Sequence, residues 1–317
     1  MQIVNKPRFI TKNKRYCRNL FNDISRDRYL YLLMIPFIAY YVLFYWRPIW
    51  SIRIAFMDYS LYKGFKGSPW VGFEHFIAFF KGPFFWRTLT NTFMLSIYSL
   101  IIGFPAPIIL ALLINEVRNK KFKKITQTLT YIPHFVSTVV VVGIVMSLLS
   151  PTSGLINMII KFFGGNEIYF LAEPRYFRMI YTLMHMWQST GYSAIIYIAA
   201  LAGIDQELYE AAVIDGAGRW KQTLHITIPC ILPTVVIMLI LKLGTVMNVG
   251  YEAIILLYNP IIYETADVVS TYVYRSGLQE GSYSFSAAVG LFDSVVSFLL
   301  VFFSNKVSRW LSGISLW

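Results

Sequence analysis

Six long apolar runs constrain this chain more than anything else in it. They cover residues 29–46, 89–114, 129–149, 179–204, 228–250 and 285–304. A bilayer's hydrocarbon core is about 30 Å thick and takes about 20 apolar residues to cross as a helix. The runs approach or exceed that length, and the short first one extends by tilting or snorkelling through Arg47 and Pro48. Only Lys242 and Asp293 place a formal charge inside them. Of the whole chain 14% of residues are charged and 56% hydrophobic, against about 25% charged in an ordinary soluble domain. The expected fold is all-α: a polytopic membrane protein with six transmembrane helices.

The placement of charge sets the orientation. The formal net charge is +12, which by itself would suit a nucleic-acid partner. The cations instead flank apolar runs: Lys6, Arg8, Lys12, Lys14, Arg15, Arg18, Arg26 and Arg28 precede the first, and Arg118, Lys120, Lys121, Lys123 and Lys124 follow the second. Arg219, Lys221, Lys306 and Arg309 fall on the same side of a six-span chain. Positive loops stay in the cytoplasm, so both termini are expected there and the chain in the cytoplasmic membrane, with no nucleic acid bound. No small-residue cleavage site follows the first run, which reads as a retained span rather than a signal peptide. Residues 1–28 form a basic cytoplasmic tail and 29–317 one transmembrane domain. Cys17 and Cys230 both fall on the cytoplasmic side, where a disulfide is not expected.

Between the fourth and fifth runs lies a polar, helix-forming stretch, residues 205–228. Its small residues Ala211, Ala212, Gly216, Ala217 and Gly218 permit close approach by another surface. Two glycines weaken a continuous helix, since Gly costs about 1 kcal/mol against Ala in a helix interior. Two short helices meeting at a bend are expected. The pattern Glu210-Ala211-Ala212, two residues, Asp215-Gly216-Ala217, then Ile226 and Pro229 resembles the EAA loop of ABC importer permeases. Thr223 and Ile228 depart from it, standing where that family usually has Phe and Leu. The resemblance implies that Glu210, Ala211, Ala212, Asp215, Gly216, Ala217, Gly218 and Arg219 couple the chain to a cytoplasmic ATPase.

Further stretches carry the same resemblance. Residues 103–124, 131–143 and 258–278 and the terminal Ser315-Leu316-Trp317 are similar to maltose-type carbohydrate permeases, in the branch serving lipoprotein-linked oligosaccharide and polysaccharide importers. That resemblance implies a type I importer fold, a second homologous permease, two ATP-binding subunits holding ATP-Mg, and an extracytoplasmic solute-binding lipoprotein. This chain would itself bind no cofactor.

Polar groups inside spans are costly unless they find partners or line a cavity. Trp187, Gln188 and Tyr192 lie in the fourth run, with Gln188 and Tyr192 sharing a helix face at i, i+4; aromatic faces and amides suit a sugar, and equally hold helices together. Lys242, Asn248 and Tyr251 lie in or near the outer half of the fifth run. Lys242 is open to three readings: it meets a substrate carboxylate, pairs with Asp293 of the sixth run, or snorkels outward. The segment 250–284 reads as a polar outer loop, and residues 51–88 as an aromatic-rich interfacial one.

No phosphate-binding loop of the form GxxxxGK[ST], no GxSxG elbow and no HExxH motif is present. His75, His134, His185 and His225 are scattered over four segments. No catalytic residue and no metal site is therefore expected: the chain reads as a non-enzymatic, channel-forming subunit for an oligosaccharide, an acidic one among the readings. The alternative is an ion-coupled secondary transporter, though no inverted repeat supports it.

Overall fold

The computed structural model describes residues 26–313 together with Ser315 and Leu316. The basic tail up to Ser25, with Cys17, and the terminal Trp317 lie outside the described residues. The chain divides into two units, one ending at Arg53 and the other running from Ile54. The first is helix α1 (Arg28–Tyr41), continued by a π-helical turn (Val42–Trp46) and a short helix to Ser51. It is apolar around its whole circumference, as a lipid-facing span must be.

The second unit is helical throughout; an isolated antiparallel bridge between Met57 and Trp70 is its one β contact among the described residues. Helix α2 (Phe85–Tyr98) passes through a π-turn (Ser99–Gly103) into α3 (Pro105–Glu116). Proline suits that restart, because the first residues of a helix have no intrahelical use for an N–H. Helices α4 (Lys120–Tyr131) and α5 (Thr138–Leu148) follow, then the 29-residue α6 (Pro174–Ala202). Beyond it come α7 (Gln206–Ile214), α8 (Arg219–Gln222), α9 (Ile228–Gly244) and α10 (Tyr283–Ser312).

Four helical runs are long and apolar enough to cross a membrane: Arg28–Phe56, Phe85–Glu116, Arg219–Gly244 and Tyr283–Trp310. The predicted span 129–149 is not one rod. Lys120–Phe135 and Thr138–Leu148 meet at 101°, and the pair makes a fifth span only if counted together. Pro133 removes a backbone donor within a short 3-10 turn (Ile132–Phe135), and the break follows where Val136 and Ser137 turn extended. The chain then restarts at Ser137, whose hydroxyl accepts from Val140 N–H at 3.5 Å. Helix α6 is long enough to cross but more polar than the others, carrying Arg175, Arg178, His185, Gln188 and the hydroxyls of Thr182, Ser189, Thr190 and Ser193.

Residues 250–284, expected as an exposed outer loop, fold inward. Ala253, Ile254, Leu257, Ile262, Ala266, Val268 and Val269 are all buried, the first five of that group and Val268 in one cluster with Leu95 of α2 and Phe177, Tyr181 and Met184 of α6. The burial of apolar area holds the segment down, and Asn259 and Thr265 tie it to the start of α6 through Leu171 O at 3.0 Å and Pro174 O at 2.7 Å. The aromatic stretch after Phe56 packs likewise. Phe79 is 1% exposed and lies edge-on to Phe85 and Phe292, so helix Glu74–Lys81 is docked on α10.

Candidate functional site

Two features stand out at opposite ends of α6, and a cavity lies between them. The first is the polar segment after Ala202. Asp205 caps α7 by accepting from Glu207 N–H at 3.0 Å, as a carboxylate does best in front of a helix. Five residues later begins the Glu210-Ala211-Ala212 stretch, and α7 stops at Ile214. Gly216 explains the stop. It sits at φ +74, left-handed backbone that costs an L-residue roughly 1–2 kcal/mol. The turn closes with Ala217 N–H donating to Ala212 O at 2.8 Å and Gly216 N–H to Val213 O at 3.0 Å, the paired bonds of a Schellman motif. Gln222 Nε2 then donates to Ala217 O at 2.8 Å, fixing α8 against the corner.

That corner presents more apolar surface than its alanines alone. Ile214 is 85% and Trp220 82% exposed, and Val213 is exposed beside them. Glu210, Ala211, Asp215, Gly216 and Gly218 are exposed, while Ala212 and Ala217 are half-buried. Val213, Ile214 and Trp220 were not singled out from the sequence; three large apolar residues inside a polar loop were the available signal. Arg219 lies 3.6 Å from Glu116 at the end of α3, and the Tyr209 and Thr227 hydroxyls meet at 3.0 Å. The corner is thereby attached to α3 on one side and to the start of α9 on the other.

The cavity, about 420 Å³, lies among α2, the π-turn, α3, α6 and α9. From the α2 side it is lined by Ser96, Ser99, Gly103 and Pro107. The π-turn opens the wall here, a geometry often found at functional positions. Helix α6 contributes Thr182, His185, Ser189, Ser193 and Tyr197, a stripe at i, i+3/i+4 spacing. Helix α9 adds Lys242, and Thr245 and Asn248 follow just beyond its end.

The structure separates the residues singled out from the sequence. Lys242 and Asn248 line the cavity. Trp187, Gln188 and Tyr192 occupy another face of α6: Gln188 Nε2 donates to Val136 O at 3.1 Å, and Tyr192 stacks on His134 with ring centroids 4.0 Å apart. Gln188 thus binds α6 to the break between α4 and α5. Tyr251 stacks on Tyr274 at 5.8 Å, outside the cavity lining. Asp293 lies on α10 with a buried Oδ1 that accepts no hydrogen bond, and among the described residues it forms no ion pair with Lys242. The hydroxyl stripe of α6 was legible as Thr182, Ser189 and Ser193 on one helix face, a signal passed over in favour of the aromatics.

The second feature sits where α6 begins. Asp267, 0% exposed, accepts from Arg87 at 2.6 Å, from both terminal nitrogens of Arg275 at 3.2 and 3.0 Å, and from Thr271 Oγ1 at 3.0 Å. Burial alone would lower the Arg275 pKa, but the hydrogen bonds and charge of Asp267 raise it above its usual value. Asn91 of α2 donates to the carbonyls of Glu264 and Asp267 at 2.9 and 3.0 Å, and its Oδ1 accepts from Arg178 of α6 at 3.0 Å. One carboxylate thus gathers α2 and the inward-folded segment, and Asn91 adds α6.

The chain resembles known proteins over most of its length. Residues 76–312 match the family of binding-protein-dependent transport system inner membrane components. The chain is 46% identical over 286 residues to Protein LplB of Bacillus subtilis (strain 168), covering 90% of each. It is 46% identical over 298 residues to the polygalacturonan/rhamnogalacturonan transport system permease protein YteP of the same organism, covering 94% of this chain and 92% of the relative. Among solved structures it is similar to a chain of a bacterial ABC transporter involved in the import of the acidic polysaccharide alginate, at TM-score 0.87 and 43% identity, covering 93% of this chain and 99% of the other. A crystal structure of a bacterial alginate ABC transporter in complex with alginate pentasaccharide-bound periplasmic protein matches with TM-score 0.87 and 42% identity, covering 94% and 99%.

Proposed function

The chain belongs to the family of binding-protein-dependent transport system inner membrane components, and is a permease of ABC sugar importers; from that premise we propose that it forms half of a transmembrane pathway for oligosaccharides cut from an acidic polysaccharide. In this reading it has six spans, α6 and the α4–α5 pair among them, with both termini in the cytoplasm. A second, homologous permease completes the pathway. Two ATP-binding subunits, which hold the ATP-Mg, dock on the corner from Glu210 to Trp220, and a solute-binding lipoprotein delivers the sugar on the far side. The acidic substrate draws support from the names of the relatives above and from Lys242 in the cavity.

One observation carries the reading. The corner is continuous in the chain with α6 on one side and α9 on the other, and both helices line the cavity. Moving the corner as the ATPase subunits close moves two cavity walls directly. Within the corner, Asp215 and Gly216 end α7, Gly218 begins α8, and Ala211, Ala212 and Ala217 keep the surface close-packed around the exposed Val213, Ile214 and Trp220. Arg219 anchors it to Glu116.

The test is the ATPase activity of the co-expressed complex in lipid, stimulated by loaded binding protein. Glu210→Lys reverses a charge at the exposed docking face, and Gly216→Pro demands a φ near −65° where the backbone stands at +74. Stimulated turnover is expected to fall at least about ten-fold in both, equivalent to about 1.4 kcal/mol or more of coupling. If no ATPase co-purifies with the wild type, an ion-coupled transporter takes the importer's place; if stimulated turnover ignores both changes, the corner is not the coupling element.

A further inference from the structure

The cluster at the start of α6 holds more positive charge than its carboxylates match. Arg87 and Arg275 both pair with Asp267, and Arg275 also reaches Glu280 at 4.0 Å. Arg178, half-buried beside them, forms no ion pair among the described residues; its hydrogen-bond partner is the neutral amide of Asn91. The Nε of Arg178 is buried and donates to nothing. A guanidinium presents five donors in a fork matched to a carboxylate, and leaving it in a partly dry site with one neutral acceptor is costly.

Its position relates this surplus to the cavity. Arg178 stands one helical turn, about 6 Å, before Thr182 on α6, and Thr182 Oγ1 donates to Arg178 O at 2.7 Å. Asn91 stands one turn before Leu95 on α2, and Leu95 and Thr182 both line the cavity. The Arg178–Asn91 contact therefore lies just beyond the end of the cavity remote from the coupling corner. Lys242 is the single formally charged residue lining the cavity, and no Asp or Glu shares that lining. It is exposed rather than packed.

Resting on the importer reading above, we propose that Arg178 is a carboxylate-binding residue at the remote end of the pathway and that Lys242 receives the same or the next uronate carboxylate inside the cavity, so that two cations set this subunit's preference for acidic over neutral sugars. Serine and threonine hydroxyls along α6 and the π-turn bind the sugar hydroxyls. Asn91 holds the Arg178 fork when no carboxylate is present.

The experiment uses the whole complex in lipid nanodiscs without its binding protein, so that any carboxylate dependence belongs to the membrane subunits. Trimers of galacturonate and of guluronate are titrated beside their carboxyl-reduced counterparts, which keep the sugar and lose the charge. The wild type is expected to bind at least one acidic trimer ten-fold or more tighter than its reduced form. Lys242→Gln and Arg178→Gln are each expected to cut that ratio several-fold, while Lys242→Arg and Arg178→Lys keep most of it; a purely structural role would weaken acidic and reduced trimers alike and leave the ratio intact. An unchanged ratio in both Gln variants overturns the proposal. So does failure of every trimer to bind a wild-type complex whose ATPase still responds to loaded binding protein, an outcome that leaves the importer reading standing. A complex that lacks an ATPase response removes that reading first.

Discussion

The two ends of α6 are built in opposite ways. At the Ala202 end the hydrogen bonds are mostly local, Asp205 to Glu207, Ala217 to Ala212, Gln222 to Ala217 and Tyr209 to Thr227, with the half-exposed Arg219–Glu116 pair as a long-range tie. The side chains there face outward. At the Pro174 end the bonds join residues far apart in the chain, 180 for Arg87–Asp267, 176 for Asn91–Asp267 and 87 for Arg178–Asn91, and the central carboxylate is fully buried. A corner held by its own backbone can be pushed as a unit by a docked partner. An end held by a buried carboxylate and by hydrogen bonds across three segments resists such movement, so in the proposed reading the two ends divide the work of being moved and of staying put.

Breaking the remote end should cost most. Asp267→Asn leaves Arg87 and Arg275 without their carboxylate, and removing one partner of a buried pair typically costs about 3–5 kcal/mol. The purified complex should melt at a clearly lower temperature, and a variant melting with the wild type would mean the cluster does not secure this end. At the corner the effect is smaller and conformational. Gly216→Val has open space around its new side chain, so its cost is backbone strain alone, about 1–2 kcal/mol; Gly216→Asn should cost less because Asn tolerates left-handed geometry. Stimulated ATPase should rank Gly, Asn, Val in falling order, and equal loss in both variants would point to lost docking surface instead. The smallest effect belongs to Arg219→Ala. Its ion pair with Glu116 is long and half-exposed, worth about 0.5 kcal/mol or less. Melting should hardly change, so a marked loss of stimulated turnover in that variant would assign Arg219 to the partner surface.

The contrast also explains what could be read in advance. The bend at Gly216 was legible because a few neighbouring residues decide it: a left-handed glycine after Ile214-Asp215 stops a helix wherever it occurs. The apolar runs were legible for a similar reason, since hydrophobic length is a property of the chain itself. The 101° bend between α4 and α5 follows Pro133, at the extended Val136 and Ser137, yet its size is set by what packs on either side, including Gln188 reaching Val136 O. Residues 250–284 looked solvated because Glu252, Glu264, Asp267 and Glu280 stud them; Asp267 is instead the buried centre of a cluster whose cations come from α2 and from its own segment.

From the sequence alone came the membrane class, the all-α fold, the bend at Gly216 and the presence of a lysine within an apolar run, because each rests on composition or on residues a few positions apart. Tertiary structure decided which stripe of α6 faces the cavity, that Lys242 faces it without Asp293, and that Arg178 stands beyond its far end without a carboxylate. Those depend on how helices distant in the chain are rotated against each other, and packing complementarity between their surfaces selects that rotation.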